Sequence, residues 1–178
     1  MANKDAAHGF KPIGRIGGGS LRLRKYTLAS ANTAIGKGQV VQMTNAGTVD
    51  IGSTGMTITT LGIAAHYCAA NKGATSDPYI LVYDQPDLIM EAQTDDGTGV
   101  ATSQTAIGLN AEIVVGGVNS VTGQATAEID ESSAANTSTL PLKIIGLYPD
   151  PSNSFGEFNR LLVTWNHHMY KSDGVQGI

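Results

Sequence analysis

The residue types able to do chemistry are few in this chain, and their spacing limits what they can do. His167 and His168 are adjacent in RLLVTWNHHMY (160–170), which reads as a strand. Successive strand side chains point to opposite faces, so the pair is poorly placed to chelate one ion. The expectation is one histidine turned inward and one at an interface or in solvent. Asp84, Asp87, Asp95 and Asp96 flank a hairpin-like stretch. Their spacing lacks the alternating acids of a calcium loop, and Asp favours turns because its carboxylate bonds nearby backbone amides. They are read as turn residues. Cys68, the single cysteine, lies in the apolar context AHYCAA, so a buried thiol is expected rather than a nucleophile. One cysteine forms no internal disulfide and agrees with a reducing compartment.

Ser, His and Asp are all present, but no G-x-S-x-G elbow is. The glycine run in GRIGGGS neither follows a predicted strand nor opens a helix, which excludes a dinucleotide or phosphate loop. The residues thus predict no catalytic, cofactor-binding or metal site, and a protein that is not an enzyme.

The elements that position these residues are short and β-like. Apolar residues make up 41% of the 178 residues while only 15% are charged, a balance suited to a folded chain rather than a disordered one. A chain of this length is one domain in the simplest reading. β-Branched and aromatic runs at 26–30, 39–44, 48–51, 78–84, 88–94, 111–117, 125–130, 139–148 and 160–170 are separated by turn residues. QVVQMT and TVDI read as a hairpin across NAG, and residues 56–70 as two strands or one bent at Gly62, where an interior glycine signals a bulge. TSQTAIGLNAEI (102–113) holds at most a short helix. The predicted class is all-β: an antiparallel sandwich or a small barrel, of jelly-roll or tulip-like form, over residues 26–178.

The first 25 residues differ. Six basic residues stand against the single acid Asp5, a balance of +5; the whole chain carries −4, so the rest carries −9. This asymmetry predicts an extended arm that meets an acidic surface. Its charge is sparse for a nucleic-acid tail and Phe10 is its one stacking residue, so no direct nucleic-acid contact is expected. MANKDAAHGF places charges where a signal peptide has its apolar segment, and no stretch approaches a membrane span. Synthesis in a cytoplasm and no membrane partner are expected.

Within the arm, the glycines up to Gly19 read as a leash. From Ser20 to Tyr26 the order Leu21, Arg22, Leu23, Arg24 has period two, predicting a strand with one apolar and one cationic face. Such an arm, mobile when free, can add to an exposed sheet edge of a partner. Phe10 and Ile13 would be its apolar anchors, Lys11 and Pro12 part of the contact, and Arg15, Arg22, Arg24 and Lys25 its cations. Near the other end Phe155, Phe158, Trp165 and Tyr170, with His167, are core residues or a subunit interface. An alternative uses Trp165, Tyr148 and Tyr79 as a stacking platform for a carbohydrate or host surface.

MANKDAAHGFKPIGRIGGG resembles the opening of a group of small virion proteins of tailed bacteriophages, the capsid decoration, cement or head-stabilising proteins. GIAAHY followed by VYDQPDLIMEAQTDDG, and PLKIIGLYPDPSNSFGEFNRLLVTWNHHMY, are similar to the middle and the end of that group. The resemblance implies a structural protein on the outer capsid surface, commonly a homotrimer. Its partner would be the major capsid protein, whose neighbouring subunits it clamps after shell expansion.

Overall fold

The computed structural model describes residues 3–56, 59–95 and 103–171. Among them are eleven strands in two antiparallel sheets. In chain order the strands are β1 (Lys11–Arg15), β2 (Leu23–Thr27), β3 (Val40–Met43), β4 (Val49–Ile51), β5 (Thr60–Ala64), β6 (Tyr79–Tyr83), β7 (Leu88–Gln93), β8 (Asn110–Val114), β9 (Glu128–Ala135), β10 (Leu142–Leu147) and β11 (Arg160–Trp165). One sheet has the order β1-β7-β11-β10-β8-β9 and the other β2-β6-β5-β3-β4. Neither is closed into a barrel, so the architecture is a sandwich.

The expected hairpin is present: Met43 pairs with Val49, and Thr44 donates to the Thr48 carbonyl across a turn with Gly47 at φ +73°. Residues 56–70 yield one strand, β5. Gln42 pairs with Thr60 and Val41 with Gly62, so Leu61 is an extra residue, a bulge beside the predicted glycine. Gly62 sits at φ +154°, and a Cβ there would lie 2.1 Å from the Tyr83 carbonyl oxygen. The bulge changes the side-chain phase. Ile63 packs with Val40 into the larger core cluster, while Leu61 and Ala64 join Val41, Ile80 and Val82 in the smaller one. β5 is therefore buried on both faces. The helix-like stretch is a single 3-10 turn at Gln104–Ala106.

β9 runs to Ala135, past the predicted end at 130. In DESSAA only Asp130 and Ala135 are in register with β8, opposite Glu112 and Asn110; between them the Ser133 amide donates to Asp130 Oδ1 and the Glu112 amide donates to the Ser133 hydroxyl, so the strand continues through a side-chain-bonded bulge.

The N-terminal segment contributes two of these strands. β1 forms one edge of the six-stranded sheet and β2 one edge of the five-stranded sheet. Pro12 suits an edge because it has no N–H to donate to a further strand. Pro12 pairs with Met90 and Gly14 with Ile89, which leaves Ile13 as a bulge, 47% exposed. β2 starts at Leu23, so Leu21 and Leu23 do not share a strand face. Leu21 packs against the core, whereas Leu23 is 45% exposed.

Candidate functional site

The N-terminal segment follows another stretch of the same chain in reverse. β6 lies in the five-stranded sheet and β7 in the six-stranded one, and residues 84–87 carry the chain between them. β1 pairs with β7 and β2 pairs with β6, so residues 11–27 run antiparallel to 79–91 across both sheets.

Side chains fasten this alignment, and the acids come from DQPDLIME (84–91). Asp84 is fully buried, and a buried carboxylate must be paired. Its Oδ1 accepts from Arg22 Nη2 at 3.0 Å and Nε at 3.2 Å; its Oδ2 meets Arg24 Nε at 3.1 Å and accepts from the Tyr26 hydroxyl at 2.7 Å. Burial raises the Tyr26 phenol above its usual range, and its bonds to Tyr170 and Asp84 add to this. The turn role predicted for Asp84 is thus wrong: a buried carboxylate with three donors is a clamp. Asp87 receives Arg15 through Nε and Nη2, both at 3.0 Å, and this pairing holds its carboxyl below the usual range. Glu91 is 2% exposed and lies between His8 (3.0 Å), Lys11 (3.5 Å) and Arg160 (3.9 Å). Burial alone would raise its pKa, but these three cationic or hydrogen-bonding neighbours outweigh it and the net shift is downward.

Backbone and amide bonds complete the attachment. Gln85 accepts from the Arg22 amide at 2.7 Å and donates to the Ser20 carbonyl at 3.2 Å, and Ile16 N–H donates to the Asp87 carbonyl at 2.9 Å. Phe10 is fully buried in the larger core and its amide donates to the Gly38 carbonyl at 2.8 Å. Phe10 therefore anchors the segment to its own body, not to another molecule. The carboxylates facing Arg15, Arg22 and Arg24 are likewise those of this chain. Glu91 and Gln85 were not singled out from sequence, and Asp84 was read only as a turn residue; the signal present was the acidic run DQPDLIME opposite a basic segment.

What the segment leaves exposed is amphipathic. Ile13, Ile16 (62%) and Leu23 are three of the eight exposed large apolar side chains among the described residues, and all fall within eleven positions. Lys11, Arg22, Arg24 and Lys25 of the same segment are each about half-exposed or more. Lys25 lies 3.8 Å from Asp77 and 4.0 Å from the centre of the Tyr79 ring.

The remaining predicted residues are scattered. Trp165 is fully buried, so it belongs to the core and to no surface platform with Tyr148 and Tyr79. Tyr148 stacks under Arg160, 5.0 Å from its guanidinium carbon. Phe155 packs partly buried against the core; Phe158 is half-buried with φ +51°; Tyr170 is 45% exposed.

Both histidines are buried, contrary to the alternation argument, because β11 ends at Trp165 and period two ends with it. His167 Nε2 lies 2.6 Å from the Ser138 carbonyl oxygen and His168 Nε2 lies 2.8 Å from that of Leu61. The Tyr170 amide donates to His168 Nδ1 at 3.1 Å, so the neutral Nε2–H ring satisfies both contacts. Burial lowers its pKa to about 4.

Cys68 is buried as expected. Its Sγ is 3.5 Å from His66 Nε2, and burial raises the thiol, opposite to what a nucleophile needs. Asp95 Oδ1 accepts from the Glu131 amide at 3.1 Å, and Asp96 lies outside the described residues. Among the described residues no group of three or more His, Cys, Asp and Glu is disposed to hold a metal ion, and no helix is long and apolar enough to cross a membrane.

No protein-family model, curated protein or solved structure matches this chain.

Proposed function

We propose that the protein is a non-enzymatic structural component of a tailed-bacteriophage virion. In this reading it sits as a decoration or cement protein, commonly a homotrimer, on the outside of the capsid, bound to the major capsid protein. The observation that carries the reading is the surface made by residues 11–25. The segment that holds the most specific part of the resemblance also supplies one free edge of each sheet. Along it Ile13, Ile16 and Leu23 are exposed, and Lys11, Arg22, Arg24 and Lys25 of the same segment are about half-exposed or more.

Apolar centres with a charged rim suit binding to another protein's surface. Because the segment is already docked on β6 and β7, little backbone entropy is lost when it binds, in contrast to a loose arm at roughly 1–2 kcal/mol per residue. Three linked copies would raise avidity by roughly 10²–10⁴ over one.

The test is co-sedimentation with expanded, undecorated shells of the phage that encodes the chain. Deleting residues 2–20 is unsuitable, since it would remove Phe10 from the core and uncover β7. Ile13→Asp combined with Ile16→Asp keeps the fold and alters only exposed side chains. Wild type should saturate the shells and the double variant should bind at least tenfold more weakly, about 1.4 kcal/mol. Wild-type protein that stays in the supernatant would overturn the proposal.

A further inference from the structure

A second feature lies where β1 meets the five-stranded sheet. A recess of about 320 Å³ opens between Phe10, Pro12 and Ile13 on one side and Gly38, Ala64, Ala65 and Tyr83 on the other. The inner wall is apolar and rigid: Phe10 and Ala64 are buried, and the Gly38 amide donates to the Ala64 carbonyl at 2.9 Å. Its rim carries Lys11, Lys37 and Gln124, and no acidic residue lines it. Lys11 has a distant partner in Glu91 at 3.5 Å and is 48% exposed. Among the described residues no carboxylate pairs with Lys37, which is exposed.

We propose that this recess is a docking site for an extended segment of another protein that presents a bulky apolar side chain beside a carboxylate. The apolar walls take the side chain, and Lys37 and Lys11 hold the acid. Charge complementarity selects the occupant, since both cations lie at the mouth with no acid of this chain lining it. A segment fits better than a small molecule because the apolar surface continues outward over Ile13, 47% exposed at the lip. Ordinary strand addition is disfavoured here: Pro12, the bulge at Ile13 and Lys11 are the features that blunt an edge against a further strand. Recognition therefore falls on side chains. The recess shares Lys11 and Ile13 with the surface of the decoration reading, but its probe is peptides and not shells and its variant is at Lys37, so each can fail without the other.

The experiment is selection of a displayed random-octapeptide library on the full-length protein, followed by titration of one enriched synthetic peptide. Enriched sequences should place Leu, Ile, Met, Phe or Trp within three positions of Asp or Glu. Backbone amide resonances of Ile13, Gly38, Ala64 and Ala65 should shift saturably. Lys37→Glu, an exposed change with an unaltered melting profile, should weaken binding at least tenfold, and Ala65→Tyr should abolish it by filling the recess. Failure to enrich, enrichment without acids, or equal binding to Lys37→Glu would overturn the proposal. So would decanoate binding in place of every peptide, or self-association of the protein that Lys37→Glu dissolves, which would make the occupant a second copy.

Discussion

Replacing Phe10 with alanine asks most directly whether the N-terminal segment belongs to the folded body. Phe10 is fully buried in the larger core cluster. Its backbone is fixed by the bond from its amide to Gly38, so the chain cannot easily collapse into the space left by the ring. Burying a large apolar side chain contributes roughly 1.5–3 kcal/mol. The cavity left behind adds to this, and Phe→Ala in a core typically costs about 3–5 kcal/mol. For a domain of 150–250 residues each kcal/mol lowers Tm by roughly 2–4 °C, so a fall of roughly 6–20 °C is expected. Urea unfolding followed by tryptophan fluorescence suits the measurement, because Trp165, the single tryptophan, lies in the same cluster. The control is Ile13→Ala, four residues from Phe10's neighbour Gly9 but 47% exposed, which should change stability by less than about 0.5 kcal/mol. If Phe10→Ala costs less than about 1 kcal/mol, the segment is not part of the core and does not clamp onto β6 and β7.

Gly62→Ala should be among the most disruptive single substitutions, since its Cβ would meet the Tyr83 carbonyl at 2.1 Å with φ at +154°; retention of wild-type stability in a thermal melt would refute the bulge. Two groups should give opposite pH slopes. His168 has its pKa lowered from 6.5 to about 4, so its contribution is intact above pH 6.5 and is lost as pH falls towards 4, roughly 3 kcal/mol in all. Glu128 is raised from 4.5 to about 7 by burial and then by Asp5 and Asp95, so its contribution is intact below pH 4.5 and is lost as pH rises through 7. The stability difference between wild type and His168→Gln should therefore shrink on acidification, and Glu128→Gln should gain on wild type as pH rises. Urea midpoints at pH 4 to 8 that move in parallel for all three proteins would disprove both assignments.

Much of the fold was legible because it rests on local chemistry. β-Branched runs bounded by Gly, Pro, Asn and Asp mark strands, and each predicted run overlaps one: 78–84 holds β6, 88–94 holds β7 and 160–170 holds β11, whereas 26–30, 111–117 and 125–130 overlap β2, β8 and β9 in part. Gly62 announced its bulge for the same reason, since only glycine combines that φ with so close a backbone approach. β9 beyond residue 130 was not legible, because it continues through a bulge held by Asp130 and Ser133 and not through a β-branched run. The histidine pair misled because alternation holds only while the strand lasts, and local sequence does not say that β11 stops at Trp165.

For the N-terminal segment the division is sharpest. By itself the sequence determined that residues 1–25 are glycine-containing and basic, and it pointed to an acidic partner for them. It could not say whose acids those are. Only the tertiary structure decided that, by folding β6 and β7 so that Asp84, Asp87 and Glu91 face a segment some 60 to 80 residues earlier. The physical reason is that charge pairing has no sequence period. A helix or strand repeats every few residues and is read locally, whereas a carboxylate finds its cation through whichever part of the chain the core brings alongside.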